Sequence, residues 1–88
     1  MKKEIVLCRE EEGEVLSYPT LWDAYRGFKE VRRWDKESGF NCPASEYYWI
    51  FRVTKDDGTS TEQEIKFYVR KGKMYYKMIG GVSRYEEV

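Results

Sequence analysis

The chain has 88 residues, 16 of them basic, 16 acidic and none histidine. That length holds one domain with one modest core and leaves little room for a deep catalytic cleft. Zero net charge excludes an overall basic footprint for nucleic acid, and the missing histidine removes the commonest general base and metal ligand.

Lys3 to Arg9 reads as a first strand, and its apolar run IVLC is what a strand covered on both sides carries. EEEG follows as a turn, with Gly13 free to take positive φ, and Glu14 to Tyr18 returns as a second strand. Thr20 is a helix N-cap with Asp23 three residues on, and the helix runs to about Glu37 before Ser38-Gly39 stops it. At 100° per residue, Leu21, Ala24, Tyr25, Phe28 and Val31 form the stripe that packs on a sheet. Trp22 falls off that stripe beside Arg26, Lys29 and Arg33, and Trp34 lies at its opposite border. FNCPAS, residues 40–45, reads as a loop because Pro43 excludes a regular element.

Glu46 to Thr54, EYYWIFRVT, is a strand with Tyr47, Trp49, Phe51 and Val53 on its core face and Tyr48, Ile50 and Arg52 on the other. KDDGTST turns the chain, Glu64 to Arg70 is the next strand, and Lys73 to Ile79 the last clear one before Gly80-Gly81. A two-residue turn at Lys71-Gly72 pairs Arg70 with Lys73 and Val69 with Met74. A five-residue loop at Lys55 to Thr59 sets Trp49 beside Ile65 and Phe51 beside Gln63. The tail 82–88, VSRYEEV, is either a short edge strand or frayed. These elements give a single α+β domain over residues 1–88: one antiparallel sheet in ββαβββ order, with one helix packed on one face.

No second helix is available for the other face. Its residues are Tyr48, Ile50, Arg52, Lys66, Tyr68, Arg70, Lys73, Tyr75 and Lys77, with Glu46 and Glu64 near the edges. From Ile65 to Arg84 the chain has six cations and no acid, while residues 9–14 read REEEGE, so charge is segregated along a neutral chain. Three readings of the face stand together. It is a solvated sheet face, since tyrosine favours strands and long cation stems cover rings. It is a protein-binding face, since Tyr and Arg dominate interface hot spots. Or it binds single-stranded nucleic acid, bases stacking on rings and phosphates meeting cations. Trp22 with Arg26 is a separate candidate anchor, unless Trp22 folds back over FNCPAS or the first hairpin.

Catalytic chemistry and cofactors are not expected. Cys8 and Cys42 have no metal-binding spacing, Cys8 lies mid-strand as a small core residue, and Asp56-Asp57-Gly58 lacks the ligand series of a calcium loop. The start MKKE leads into only a few apolar residues, so no secretory leader or membrane span is read. The expected compartment is the cytoplasm, with both thiols reduced.

The layout resembles the small proteins that phages and mobile elements direct against host defence systems, anti-CRISPR proteins among them. The features that carry it are the start MKKEIVL, the glutamate-rich turn, a Thr-capped helix near residue 20 and three following strands. The resemblance implies a non-enzymatic protein that blocks a nucleic-acid-handling complex by occupying a protein surface. The expected contact residues are Tyr48, Arg52, Lys66, Tyr68, Arg70, Tyr75 and Lys77, with Trp22 and Arg26 as a second anchor. A single-stranded DNA- or RNA-binding module is the alternative. The chain is a monomer or a homodimer, and lysines near the centre of the tyrosine face count against the dimer.

Overall fold

A computed structural model describes residues 1–39, 43–79 and 86–87. Cys42 and Gly80-Gly81 lie outside the described residues, as do parts of the FNCPAS loop and of the tail. The elements are β1 (Lys2–Arg9), β2 (Gly13–Tyr18), α1 (Leu21–Glu37), β3 (Tyr47–Thr54), β4 (Ser60–Arg70), β5 (Lys73–Met78) and the two-residue β6 (Glu86–Glu87), with a 3-10 turn at Ala44–Glu46 before β3. The fold is α+β, with the expected ββαβββ order and β6 added at the edge. The antiparallel sheet runs β2-β1-β3-β4-β5-β6, and the helix lies against β1 and β2.

The two later hairpins have the register that their loops dictate. Trp49 pairs with Ile65, Phe51 with Gln63, Val69 with Met74 and Arg70 with Lys73. The two-residue turn needs positive φ at both positions, and Lys71 and Gly72 supply 52° and 77°. β4 starts at Ser60, earlier than the sequence pattern suggests. Lys55 N–H donates to Thr59 C=O at 2.8 Å and closes the loop, so pairing resumes at once with Thr54 opposite Ser60. The STEQ segment is polar on both faces and gives no period for sequence reading to detect.

The core lies between helix and sheet as two adjoining clusters. Leu7, Val31 and Tyr47 form one, with Phe28 and Trp49 against it; Ile5, Ala24 and Ile65 form the other, with Leu21, Phe51 and Phe67. Tyr18 and Trp49 pack against both. Helix position follows from its start and its end. Thr20 Oγ1 accepts from Asp23 N–H at 3.1 Å and donates to the Asp23 carboxylate at 2.8 Å, a closed N-cap. In the last turns, Asp35 receives two contacts from Arg9 Nη2 of β1, at 2.7 and 2.6 Å, and a hydrogen bond from the Tyr47 hydroxyl of β3. One carboxylate thus ties the helix to two strands.

Burial pushes the Asp35 carboxyl up, but the Tyr47 and Arg9 hydrogen bonds and the Arg9 charge outweigh it and hold it below the ordinary carboxylate range. A carboxyl depressed in the folded state stabilises above its unfolded pKa, about 3.9, and that contribution fades as pH falls through the lower folded value. Asp35→Asn should therefore cost roughly 1–3 kcal/mol at pH 7 in urea denaturation. The difference from wild type should shrink steadily below about pH 4.

Gly27 sits mid-helix, where glycine is about 1 kcal/mol worse than alanine. The structure gives the reason: a Cβ there would lie 2.2 Å from a ring carbon of Tyr18. The helix backbone and the β2 ring share that space, and the Tyr18 hydroxyl is buried with no hydrogen-bond partner among the described residues. Gly27→Ala should destabilise by about 1–3 kcal/mol despite its better helix propensity. In a Tyr18→Ala background the same substitution should become neutral or stabilising, and a double-mutant denaturation cycle measures this.

Candidate functional site

The face away from the helix is divided into two halves of different character. The first half spans β1, β2 and β3. Every residue of IVLC is buried, including Val6 at 0% and Cys8 at 1%, both of which point away from the helix. Their cover is made of side chains. Register places Glu14, Cys8 and Tyr48 on one rung, Ser17, Val6 and Ile50 on the next, and Glu4, Arg52 and Glu62 on the third. A register shift between Leu7 and Cys8, a bulge in β2, brings Glu14 opposite Cys8. Arg52 Nη2 reaches Glu14, so the pair runs diagonally across Val6. Arg52 also meets Glu4 at 3.4 Å and Glu62 at 3.4 Å, and its side chain is only 19% exposed. One guanidinium with three carboxylates closes this half.

Cys8 beneath that cover is a free thiol. Burial pushes it above its ordinary range, and a hydrogen bond with Tyr48 only partly offsets that. Burial thus disfavours the thiolate, which is the reactive form. Tyr48 is half-buried, its own hydroxyl pushed up by Cys8 and by desolvation.

The second half, on β4 and β5, is the more exposed one among the described residues. Tyr68 and Tyr75 pair directly across the strands, with ring centroids 5.3 Å apart and planes 19° from parallel. Lys66 pairs with Lys77 on the rung at one side, and Arg70 with Lys73 on the rung at the other. A stacked tyrosine pair thus stands between two cross-strand pairs of cations. Like charges directly opposite do not favour strand pairing, so strand stability does not account for the arrangement. Lys66 and Arg70 are exposed and form no ion pair among the described residues, and Tyr68 is 38% exposed. β6 lies along the outer edge, with Glu87 opposite Tyr75 in the backbone register.

The residues expected to act together therefore fall into three places. Lys66, Tyr68, Arg70, Tyr75 and Lys77 are brought together, with Lys73 completing the patch. Tyr48 and Arg52 belong to the closed half, where Arg52 is engaged within the fold. Trp22 and Arg26 are on the helix, in the other layer. Trp22 is half-buried, edge-on to Tyr25 of its own helix at 6.0 Å, and Arg26 pairs with Asp23 at 2.9 Å.

Sequence reading missed the three carboxylates around Arg52. Glu62 was within reach of the hairpin register, which puts it one residue before the expected Phe51–Gln63 pair. Glu4 and Glu14 depend on the β1–β3 pairing and the β2 bulge, for which the sequence carries no signal. Among the described residues, no group of three or more His, Cys, Asp or Glu side chains is placed to hold a metal ion, and no helix is long and apolar enough to cross a membrane. Comparison with family models, with curated proteins and with solved structures finds no match.

The two halves differ in what a substitution should cost. Arg52→Met removes the shared partner of Glu4, Glu14 and Glu62 and the stem that covers the apolar rung, and should destabilise by about 1–3 kcal/mol. Arg70→Met removes an exposed cation and should stay within about 0.5 kcal/mol of wild type. Guanidinium denaturation of both variants makes the comparison.

Proposed function

We propose that this chain is a non-enzymatic binding module whose β4–β5 face docks on an acidic protein surface. The observation that carries this reading is the Tyr68–Tyr75 stack flanked by the Lys66–Lys77 and Arg70–Lys73 rungs. Stacked tyrosines are large, rigid and amphipathic, which suits them to anchor an interface. Cations around them select a partner of opposite charge and speed encounter more than they add affinity. The layout shared with small anti-defence proteins points the same way, to an inhibitor that acts by covering a partner within a nucleic-acid-handling complex.

Single-stranded nucleic acid is the second reading, favoured by the same four cations. The ring geometry weighs against it. A base needs a free ring face, and Tyr68 and Tyr75 each turn one face on the other.

The test is a fluorescence-anisotropy titration of the full chain with a labelled acidic peptide, Glu-rich with interspersed Leu and Tyr, and with a labelled single-stranded oligonucleotide, each at two salt concentrations. The acidic peptide should bind the more tightly. Tyr68→Ala or Tyr75→Ala should weaken that binding at least about tenfold. Lys66→Ala should mainly reduce the association rate and its salt dependence. Preferential oligonucleotide binding with a steep salt dependence would establish the second reading instead. Equal peptide binding by wild type and the Tyr68→Ala, Tyr75→Ala double variant would remove the tyrosine pair from the account.

A further inference from the structure

On the helix side, too, the sheet is wider than its cover. Six strands at about 4.8 Å spacing span more than twice the roughly 10 Å width of a helix. The helix lies over β1 and β2, and farther out the helix-side residues Phe67, Tyr76 and Met78 of β4 and β5 are only partly buried. Where the chain enters the helix, this mismatch leaves a cleft of about 300 Å³. Its apolar walls are Ile5, Leu21, Phe51, Ile65 and Met78. The volume is at the low end of small-molecule sites, and corresponds to roughly ten water-sized groups at ~30 Å³ each.

Among the described residues of the lining, Lys3 carries the only charge. It sits one rung beyond Ile5 on the same side of β1, opposite Val53, at the outer end of the cleft. The neighbouring cations are engaged: the Met1 amine with Asp56 at 2.7 Å and Lys2 with Glu4 at 3.6 Å. Lys3 is exposed and makes no ion pair among the described residues. The Thr20 hydroxyl, also at the cleft, is held by Asp23 in the helix cap. The site therefore offers an apolar body and one positive head.

We propose that this cleft binds a small monocarboxylic acid with an unbranched apolar body, the chain lying among Leu21, Phe51, Ile65 and Met78 and the carboxylate at Lys3. One ammonium matches one negative charge. A phosphate dianion would call for an arginine fork or several cations, and among the described residues the lining has one ammonium beside the Thr20 and Tyr76 hydroxyls. The proposal is independent of the β4–β5 face, which lies on the other side of the sheet.

The experiment titrates the full chain, labelled at its Met, Ile and Leu methyl groups, with octanoate and with octan-1-ol, read by methyl NMR. Octanoate should shift Met78, Leu21 and Ile65 and leave Leu16 of β2 unmoved. Lys3→Glu removes an exposed, unpaired side chain, so the unliganded methyl spectrum should stay close to wild type. In that variant octanoate should bind about tenfold more weakly. Octan-1-ol should bind both proteins alike. Shifts spread equally to Leu16, no shifts at millimolar octanoate, or equal octanoate affinity in wild type and Lys3→Glu would each overturn the proposal.

Discussion

The fold depends on burying β1 on both faces when only one helix is available to cover it. Ile5 and Leu7 meet the helix side, while Val6 and Cys8 point to the side on which the described residues form no second layer. Leaving those two in water would forfeit apolar burial at the sheet's interior, where a chain this short has little to spare. Arg52 meets the need by lying across the face from β3 to Glu14 of β2, with Glu4 and Glu62 on its flanks. Its stem and the carboxylate stems exclude water, as long charged side chains do over apolar surface. The four groups come from four strands, so the same cluster also fixes how those strands sit relative to one another.

That solution uses up one half of the face and leaves the other with a different task. Three of the chain's acids are committed to Arg52, and Asp35 with Glu12 is committed to Arg9. The cations of β4 and β5 stand in cross-strand pairs. They surround two tyrosines that stack on each other. A neutral chain thus gathers three carboxylates around Arg52 and places two cross-strand cation pairs on the last hairpin. The helix-side cleft at Lys3 has the same geometric origin, a sheet wider than its single helix.

Legibility in the sequence followed the range of the interaction. Lys71-Gly72 and the five-residue loop before β4 fix their hairpins locally, so the pairs Val69–Met74 and Trp49–Ile65 were readable from turn chemistry and alternation. The tyrosine rung followed from them. The helix cap and stripe were readable for the same reason. The β1–β3 pairing joins distant segments, and IVLC has no alternation to give its register. Without that register, the apolar run could be recognised as doubly buried but its cover could not be named, and Arg52 read as a surface group. Gly27 was equally opaque. Its role is a close approach to Tyr18, and a lone glycine in a helical pattern signals only a cost.

One sheet face is closed at Arg52 and exposed at Tyr68. Covalent labelling of the native protein, read peptide by peptide by mass spectrometry, tests both halves in one sample, with a thiol alkylating agent for Cys8 and tyrosine nitration for the rings. The account predicts that Cys8 stays unlabelled until the protein unfolds, while Tyr68 is modified in the native state. Alkylation of Cys8 at the rate of an exposed thiol, with Tyr68 protected, would contradict it.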